Sequence, residues 1–194
     1  MISIISGPSC VGKTHLMENK KDRLLEIVNL ESDAELKFFT SSDWDDMRIW
    51  TDVMWEEGIM CCSHTPDQIQ HSFHCAGLGD RPQHNICIHF STPNFSNPLI
   101  KKISELKTPK SAIILGVPHS EYKVRVKKRK RHKGKKNVQT YSQVLDWLGP
   151  HNRPKVYKEW MEELNKKEIP YLLVEAIGDY KVLEEEEFFR MLND

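Results

Sequence analysis

Hydrophobic positions along this chain fall into short runs of two kinds. Ile2-Ser3-Ile4-Ile5-Ser6 is a β-branched run that predicts a strand. From 13 to about 28, Leu16, Leu24, Ile27 and Val28 recur at helical spacing, with Lys20-Lys21-Asp22 as a break point. A second strand is predicted over 36–41, where Phe38 and Phe39 are bulky β-formers, and it runs into the N-cap chemistry of Ser41-Ser42-Asp43. Trp44, Met47, Trp50 and Met54 then lie at the three-to-four spacing of one helix face, a core-packing stripe that carries the chain to about 58. Further strands are predicted over 85–91, over the nearly all-apolar 111–117, and over 171–174. Helices are predicted over 99–106, 138–148 (closed by Gly149-Pro150), 155–167 and 183–192. Residues 61–83 show poor periodicity and take no role. Strands alternating with helices predict an α/β domain whose parallel sheet is covered on both faces.

Composition narrows the partners more than the fold. At 194 residues the chain fits a single domain, 1–194, with room for a lid at about 119–140 and an insertion at 61–83. Lys+Arg and Asp+Glu both number 28, so any attraction to nucleic acid has to be local. The charges are unevenly placed: 123–136 is mostly basic, and Glu184 to Glu187 is an acidic run. No stretch has the apolar length of a membrane span, and the start lacks the pattern of an export signal. No membrane partner is expected. The five cysteines (Cys10, Cys61, Cys62, Cys75, Cys87) are odd in number and fit reduced thiols in a cytoplasm. A zinc site drawn from Cys61, Cys75, His64, His71 and His74 matches no standard ligand spacing.

The first run carries the sharpest chemical signal. It leads into Gly7-Pro8-Ser9-Cys10-Val11-Gly12-Lys13-Thr14, a Gly-x-x-x-x-Gly-Lys-Thr loop between a strand and a helix. Gly7 and Gly12 permit backbone conformations that let successive N–H groups face one anion. The helix that follows adds its positive end. Lys13 supplies a charge for the β- and γ-phosphates, and the Thr14 hydroxyl can ligate Mg²⁺. A chance match on a glycine turn is the weaker reading, because the flanking strand and helix are those the motif requires. Nucleoside triphosphate, with ATP and Mg²⁺ as the pair, is the expected ligand.

Two further clusters bear on what receives the phosphate. Asp45-Asp46-Met47-Arg48 follows the second strand, at the sheet edge that carries the phosphate loop. A carboxylate there can take a proton from an attacking hydroxyl, and an Arg one turn on can clamp a phosphate. An acidic first helical turn complementing the dipole is an equally good reading of the same residues. The second cluster is Arg125-x-x-x-Arg129 with Lys127, Lys128, Lys130 and Arg131 interleaved, placed where a lid could close cations over a triphosphate. A solvated basic loop or a nucleic-acid footprint would read the same way. The run is denser than phosphate transfer needs, so part of it is expected to track a nucleic-acid backbone. Few aromatics are interleaved, so base stacking is not indicated there.

Taken in order, the phosphate loop, Asp45-Asp46-Met47-Arg48, and Gly116-Val117-Pro118-x-x-Glu121-x-x-x-Arg125-x-x-x-Arg129 with Lys136 and Val138 resemble the phage polynucleotide kinase family. Related phage enzymes phosphorylate hydroxymethylated uracil in DNA. The resemblance spans most of the chain outside 61–83. It implies a P-loop kinase-like three-layer fold with a central five-stranded parallel sheet and a basic lid. It also implies an ATP-dependent kinase acting on a hydroxyl of nucleic acid, DNA rather than RNA, in the host cytoplasm if the chain is phage-encoded. Under it Asp45 is the general base, Arg48 holds the acceptor-strand phosphate, Lys13 and Thr14 hold donor and metal, and Arg125 and Arg129 are lid cations. One position departs from the pattern: Ser91-Thr92 stands where the family has an acidic residue before Thr, so the carboxylate serving the metal shifts to Asp45 or Asp46. The alternatives are a nucleoside or nucleotide kinase and a nucleic-acid-binding P-loop ATPase without kinase activity. The pattern says nothing of oligomeric state.

Overall fold

The computed structural model describes residues 2–8, 10–30, 36–39, 85–90, 104, 109–128 and 152–194. In chain order the elements are β1 (Ile2–Ser6), α1 (Lys13–Asn19), α2 (Lys21–Ile27), β2 (Leu36–Phe39), β3 (Asn85–Phe90), β4 (Lys110–Gly116), α3 (His119–Lys128), α4 (Asn152–Lys166), β5 (Tyr171–Glu175), β6 (Lys181–Leu183) and α5 (Glu185–Asn193). Each predicted strand is present within a residue or two of its expected bounds. The helices expected over 44–58, 99–106 and 138–148 lie outside the described residues, apart from Ser104.

The sheet order is β2-β3-β1-β4-β5-β6. The first five strands run parallel, as the α/β reading expected. The sixth, β6, is antiparallel to β5, pairing Val174 with Val182, and was missed by the sequence reading. It is a three-residue edge with Lys181 at its start, short enough to escape any periodicity test and poorly suited to pairing with another chain.

β1 is paired on both edges, by β3 and β4, and Ser3, Ile4, Ile5 and Ser6 are all buried, so both of its faces are covered, which accounts for its apolar spelling. Side chains alternate across the sheet. Ile5, Ile113, Leu115 and Val174 join Leu16 and Met17 of α1 and Leu24, Leu25 and Ile27 of α2 in one core cluster. Gly116 opens the opposite face to α5: a Cβ there would lie 2.6 Å from the Phe188 ring and 3.0 Å from Leu192. Helices therefore cover both faces, giving the three layers expected.

The single helix predicted over 13–28 is two. The break falls at Lys20, whose φ of −134° and ψ of 44° leave the helical region, at the first of the three polar residues marked as a break point. The first part of the expected lid, His119–Lys128, is a helix with Tyr122 and Val126 buried in the core, while 129–140 lies outside the described residues. No helix among the described residues is long and apolar enough to cross a membrane.

Candidate phosphate-binding site

The Gly-x-x-x-x-Gly-Lys-Thr loop leaves the middle of the sheet at its carboxyl edge, and each unusual residue in it answers a local constraint. Gly7 has φ 149°, and a Cβ on it would lie 2.8 Å from the Leu115 carbonyl oxygen and 2.9 Å from Val11 Cγ1. Only glycine lets the chain cross the end of β4 that closely. The Val11 N–H then donates to Pro8 O at 3.3 Å, closing a four-residue turn whose third residue, Cys10, has φ 71°. A positive φ at that turn position ordinarily calls for glycine or asparagine. Gly12, at φ 117°, bends the chain into α1, and its carbonyl accepts the first helical bond from the Leu16 N–H at 3.0 Å.

Lys13 folds back over the loop it follows. Its ammonium donates to Gly7 O at 2.7 Å and to Pro8 O at 2.9 Å, and the side chain is only 4% exposed. The charge thus lies within the turn of the loop. Thr14, next along, is exposed at the start of α1. Beyond the motif, two side chains bond loop carbonyls and a third bonds one of those two. The Arg125 guanidinium, projecting from α3, donates through Nη1 to Val11 O at 2.7 Å, through Nη2 to Ala176 O at 2.9 Å, and through Nε to Glu121 Oε1 at 2.6 Å. The Tyr180 hydroxyl donates to Gly12 O at 3.0 Å. His15 Nδ1 lies 3.1 Å from the same hydroxyl, with its ring stacked on Tyr180 at 6.1 Å between centroids. Burial pushes the Tyr180 hydroxyl pKa up, against a smaller opposing pull from Arg125, so the phenol stays a proton donor.

Tyr180 itself is held in place by α2. Arg23 Nε donates to Asp179 O at 2.8 Å and its Nη2 to Tyr180 O at 2.9 Å, which pins the turn between β5 and β6. Tyr180 sits at φ 57° in that turn. Nothing in the sequence near Gly12 advertises a residue 168 positions away, so Tyr180 escaped the sequence reading, as did His15.

Among the expected site residues, Gly7, Pro8, Cys10, Val11, Gly12, Lys13 and Thr14 assemble as one loop, and Arg125 lies against it. Arg125 differs in one respect from the lid cation expected of it: all three of its nitrogens are bonded to protein oxygens. Ser9, Asp45, Asp46, Arg48, Arg129 and Ser91 lie outside the described residues, as do Lys136 and Val138. The backbone bears on two of these segments. Ser6 pairs with Phe90, so β3 ends level with the start of the phosphate loop, immediately before position 91. Phe39 ends β2 on the same carboxyl edge, two strands from β1 and therefore about 10 Å away. The cysteines and histidines of the discarded zinc site also lie outside. Among the described residues no group of three or more His, Cys, Asp or Glu could hold a metal ion.

A Gly-x-x-x-x-Gly-Lys-Thr loop rising from the centre of a parallel sheet with helices on both faces makes the fold P-loop kinase-like. No family model matches the chain. No curated protein matches it either. Similar solved structures include a shikimate kinase from Bacteroides thetaiotaomicron, 12% identical with a TM-score of 0.40, covering 98% of this chain and 93% of that one. A structure from the PezAT chromosomal toxin–antitoxin system of Streptococcus pneumoniae is 11% identical with a TM-score of 0.47, covering 96% and 71%. A gluconokinase from Sinorhizobium meliloti 1021 is 15% identical with a TM-score of 0.41, covering 97% and 87%. At these identities no substrate passes from those proteins to this chain.

Proposed function

We propose that this chain is an ATP-dependent kinase that transfers the γ-phosphate to a hydroxyl of nucleic acid, either a 5′-OH end or a hydroxymethyl group on a modified pyrimidine in DNA. The observation that carries the reading is the phosphate loop itself, with Gly7 and Gly12 at positive φ and the Lys13 ammonium folded back onto the Gly7 and Pro8 carbonyls. An acceptor hydroxyl attacks the γ-phosphorus as the bond to the bridging β–γ oxygen breaks, ADP leaves, and the hydroxyl proton passes to a carboxylate. Asp45 is the residue proposed for that proton, with Arg48 holding a phosphate of the acceptor strand. Support for this comes from β2, which delivers the chain to the phosphate-loop edge six residues before Asp45.

The donor set suits Mg²⁺. Thr14 and the Asp46 carboxylate would hold the ion through hard oxygen ligands. Bound there, the ion would neutralise charge on the β- and γ-oxygens. Orientation of the triphosphate and the placing of its charge fall to the chain, through the loop N–H groups and Lys13.

The reading is tested by incubating the protein with γ-labelled ATP and a panel of DNA, RNA, hydroxymethylated DNA and free nucleosides. Label entering DNA is the expected result, and Asp45→Asn should abolish it while ATP affinity stays as it was. Label in nucleosides or nucleotides alone would move the assignment to a small-molecule kinase. Salt-sensitive DNA binding with no labelled product of any kind would leave a nucleic-acid-binding ATPase.

A further inference from the structure

The hydrogen bonds that Arg125 and Tyr180 make to the described residues of the phosphate loop go to its carbonyl oxygens, and that choice has a geometric consequence. In a trans peptide the C=O of one residue and the N–H of the next point in opposite directions. Arg125 holds Val11 O at 2.7 Å, so the Gly12 N–H on the same peptide unit points away from the guanidinium. Tyr180 holds Gly12 O at 3.0 Å, so the Lys13 N–H likewise points away from the phenol. Val11 O is the more exposed to chance of the two, because Gly12 O is also held by the Leu16 N–H whereas Val11 O takes no helical bond. Nor is the guanidinium free to wander. Glu121 at 2.6 Å and Ala176 O at 2.9 Å fix the plane of the fork, so α3, the end of β5 and the loop are tied through one side chain. His15 completes the arrangement, with its Nδ1 3.1 Å from the Tyr180 hydroxyl and its ring stacked on the Tyr180 ring.

We propose that Arg125, assisted by Tyr180, is a positioning residue for triphosphate binding. It acts through the peptide units 11–12 and 12–13, whose N–H groups it aims at the phosphates, and does not act as a cation closing over them. The proposal rests on the phosphate-binding half of the function proposed above and on no particular acceptor. A lid cation stabilises charge that develops during transfer, so its loss falls on turnover. A residue that presets the cradle is needed already in the ground state, so its loss falls on affinity for the phosphate chain and is the same whether or not a nucleoside is attached.

The test is calorimetry on the full chain with ATP and with inorganic tripolyphosphate, alongside turnover at saturating ATP. Arg125→Ala should weaken both ligands by the same factor, on the order of 10- to 100-fold for the loss of a charge-assisted bond. Turnover at saturation should fall by less than about tenfold, short of the loss expected from a missing transition-state donor. Arg125→Lys should restore part of the affinity, since it keeps a cationic donor for Val11 O but loses the planar fork that Glu121 and Ala176 O hold in place. Tyr180→Phe keeps the ring and removes one donor, so it should weaken both ligands equally and by less. In a spectrum of ¹⁵N-glycine-labelled protein, the Gly12 amide should shift on adding tripolyphosphate, and shift less in Arg125→Lys. Tripolyphosphate affinity unchanged in Arg125→Ala, or a fall in turnover with affinity intact, would overturn the proposal. If Arg125→Ala does not fold, wild-type tripolyphosphate affinity in both Arg125→Lys and Tyr180→Phe would overturn it just as well. Arg125-dependent tripolyphosphate binding with no acceptor ever labelled would support it while removing the kinase reading.

Discussion

At the scale of single residues, the phosphate loop shows two different solutions to the same backbone problem. Gly7 and Cys10 both have positive φ, but Gly7 also lies against the Leu115 carbonyl, where a side chain has no room. Gly7→Ala should therefore lower stability by about 1–3 kcal/mol and abolish measurable triphosphate binding, read by urea denaturation and calorimetry. His119 makes a separate prediction. It is 8% exposed with neither ring nitrogen hydrogen-bonded to a described residue, and its pKa is lowered, first by burial and then by Lys123 and Arg153. Below its ordinary value near 6.5 the unfolded chain takes up a proton that the folded chain resists. Stability contributed by this group is thus present above that value and lost as pH falls through it toward the lower folded pKa. Urea denaturation at pH 8, 6 and 5 should show a decline in the wild type that is shallower in His119→Leu.

Elements come next, and here burial decides more than propensity does. α1 and α2 have seven residues each, too short to persist alone. Leu16 and Met17 on the first and Leu24, Leu25 and Ile27 on the second hold them to the sheet. The acidic run Glu184–Glu187, which in the sequence reads only as charge, becomes the entry and first turn of α5, where carboxylates complement the helix dipole. On its inner side Phe188 and Leu192 pack at Gly116. Gly116→Ala would push a methyl to within 2.6 Å of the Phe188 ring, so it should cost about 1–3 kcal/mol in denaturation experiments, with β4 and the loop beside it otherwise unaltered.

At the scale of the whole molecule, Arg153 joins what the helices would otherwise leave separate. Its guanidinium is 1% exposed and donates to Val117 O beyond β4 and to Leu192 O in the last turn of α5, both at 2.7 Å. It also lies 5.1 Å from the centroid of the Tyr122 ring on α3. The negative end of a helix, a strand-end carbonyl and a ring face together serve a buried charge where the described residues offer it no carboxylate. Both carbonyls are held by the one nitrogen Nη2, so Arg153→Lys, which keeps the charge on a shorter side chain and loses the planar face over the Tyr122 ring, should lose about 2–4 kcal/mol of stability by chemical denaturation. Fold class and sheet were legible because buried parallel strands are spelled as apolar runs, β4 most plainly. The edge strand β6 was not, since three residues carry no period. Nor was the partner set of Arg125, expected from its place in the basic run to be a lid cation, because its contacts at Val11 and Ala176 are made across the fold.

Residues that act on their chain neighbours could be read directly from the sequence. The Gly7 to Thr14 spacing implied the loop, and the β-branched run before it implied the central strand, because backbone conformation and pleat are local properties. What the loop's carbonyls rest against is not local. Tyr180 reaches Gly12 only because β5 lies beyond β4 in the sheet and its exit turn is pinned by Arg23. Arg125 reaches Val11 only because α3 packs Tyr122 and Val126 into the core. Hydrogen bonds of this kind join residues more than a hundred positions apart, so they exist only once strand order and helix packing have brought those residues within 3 Å.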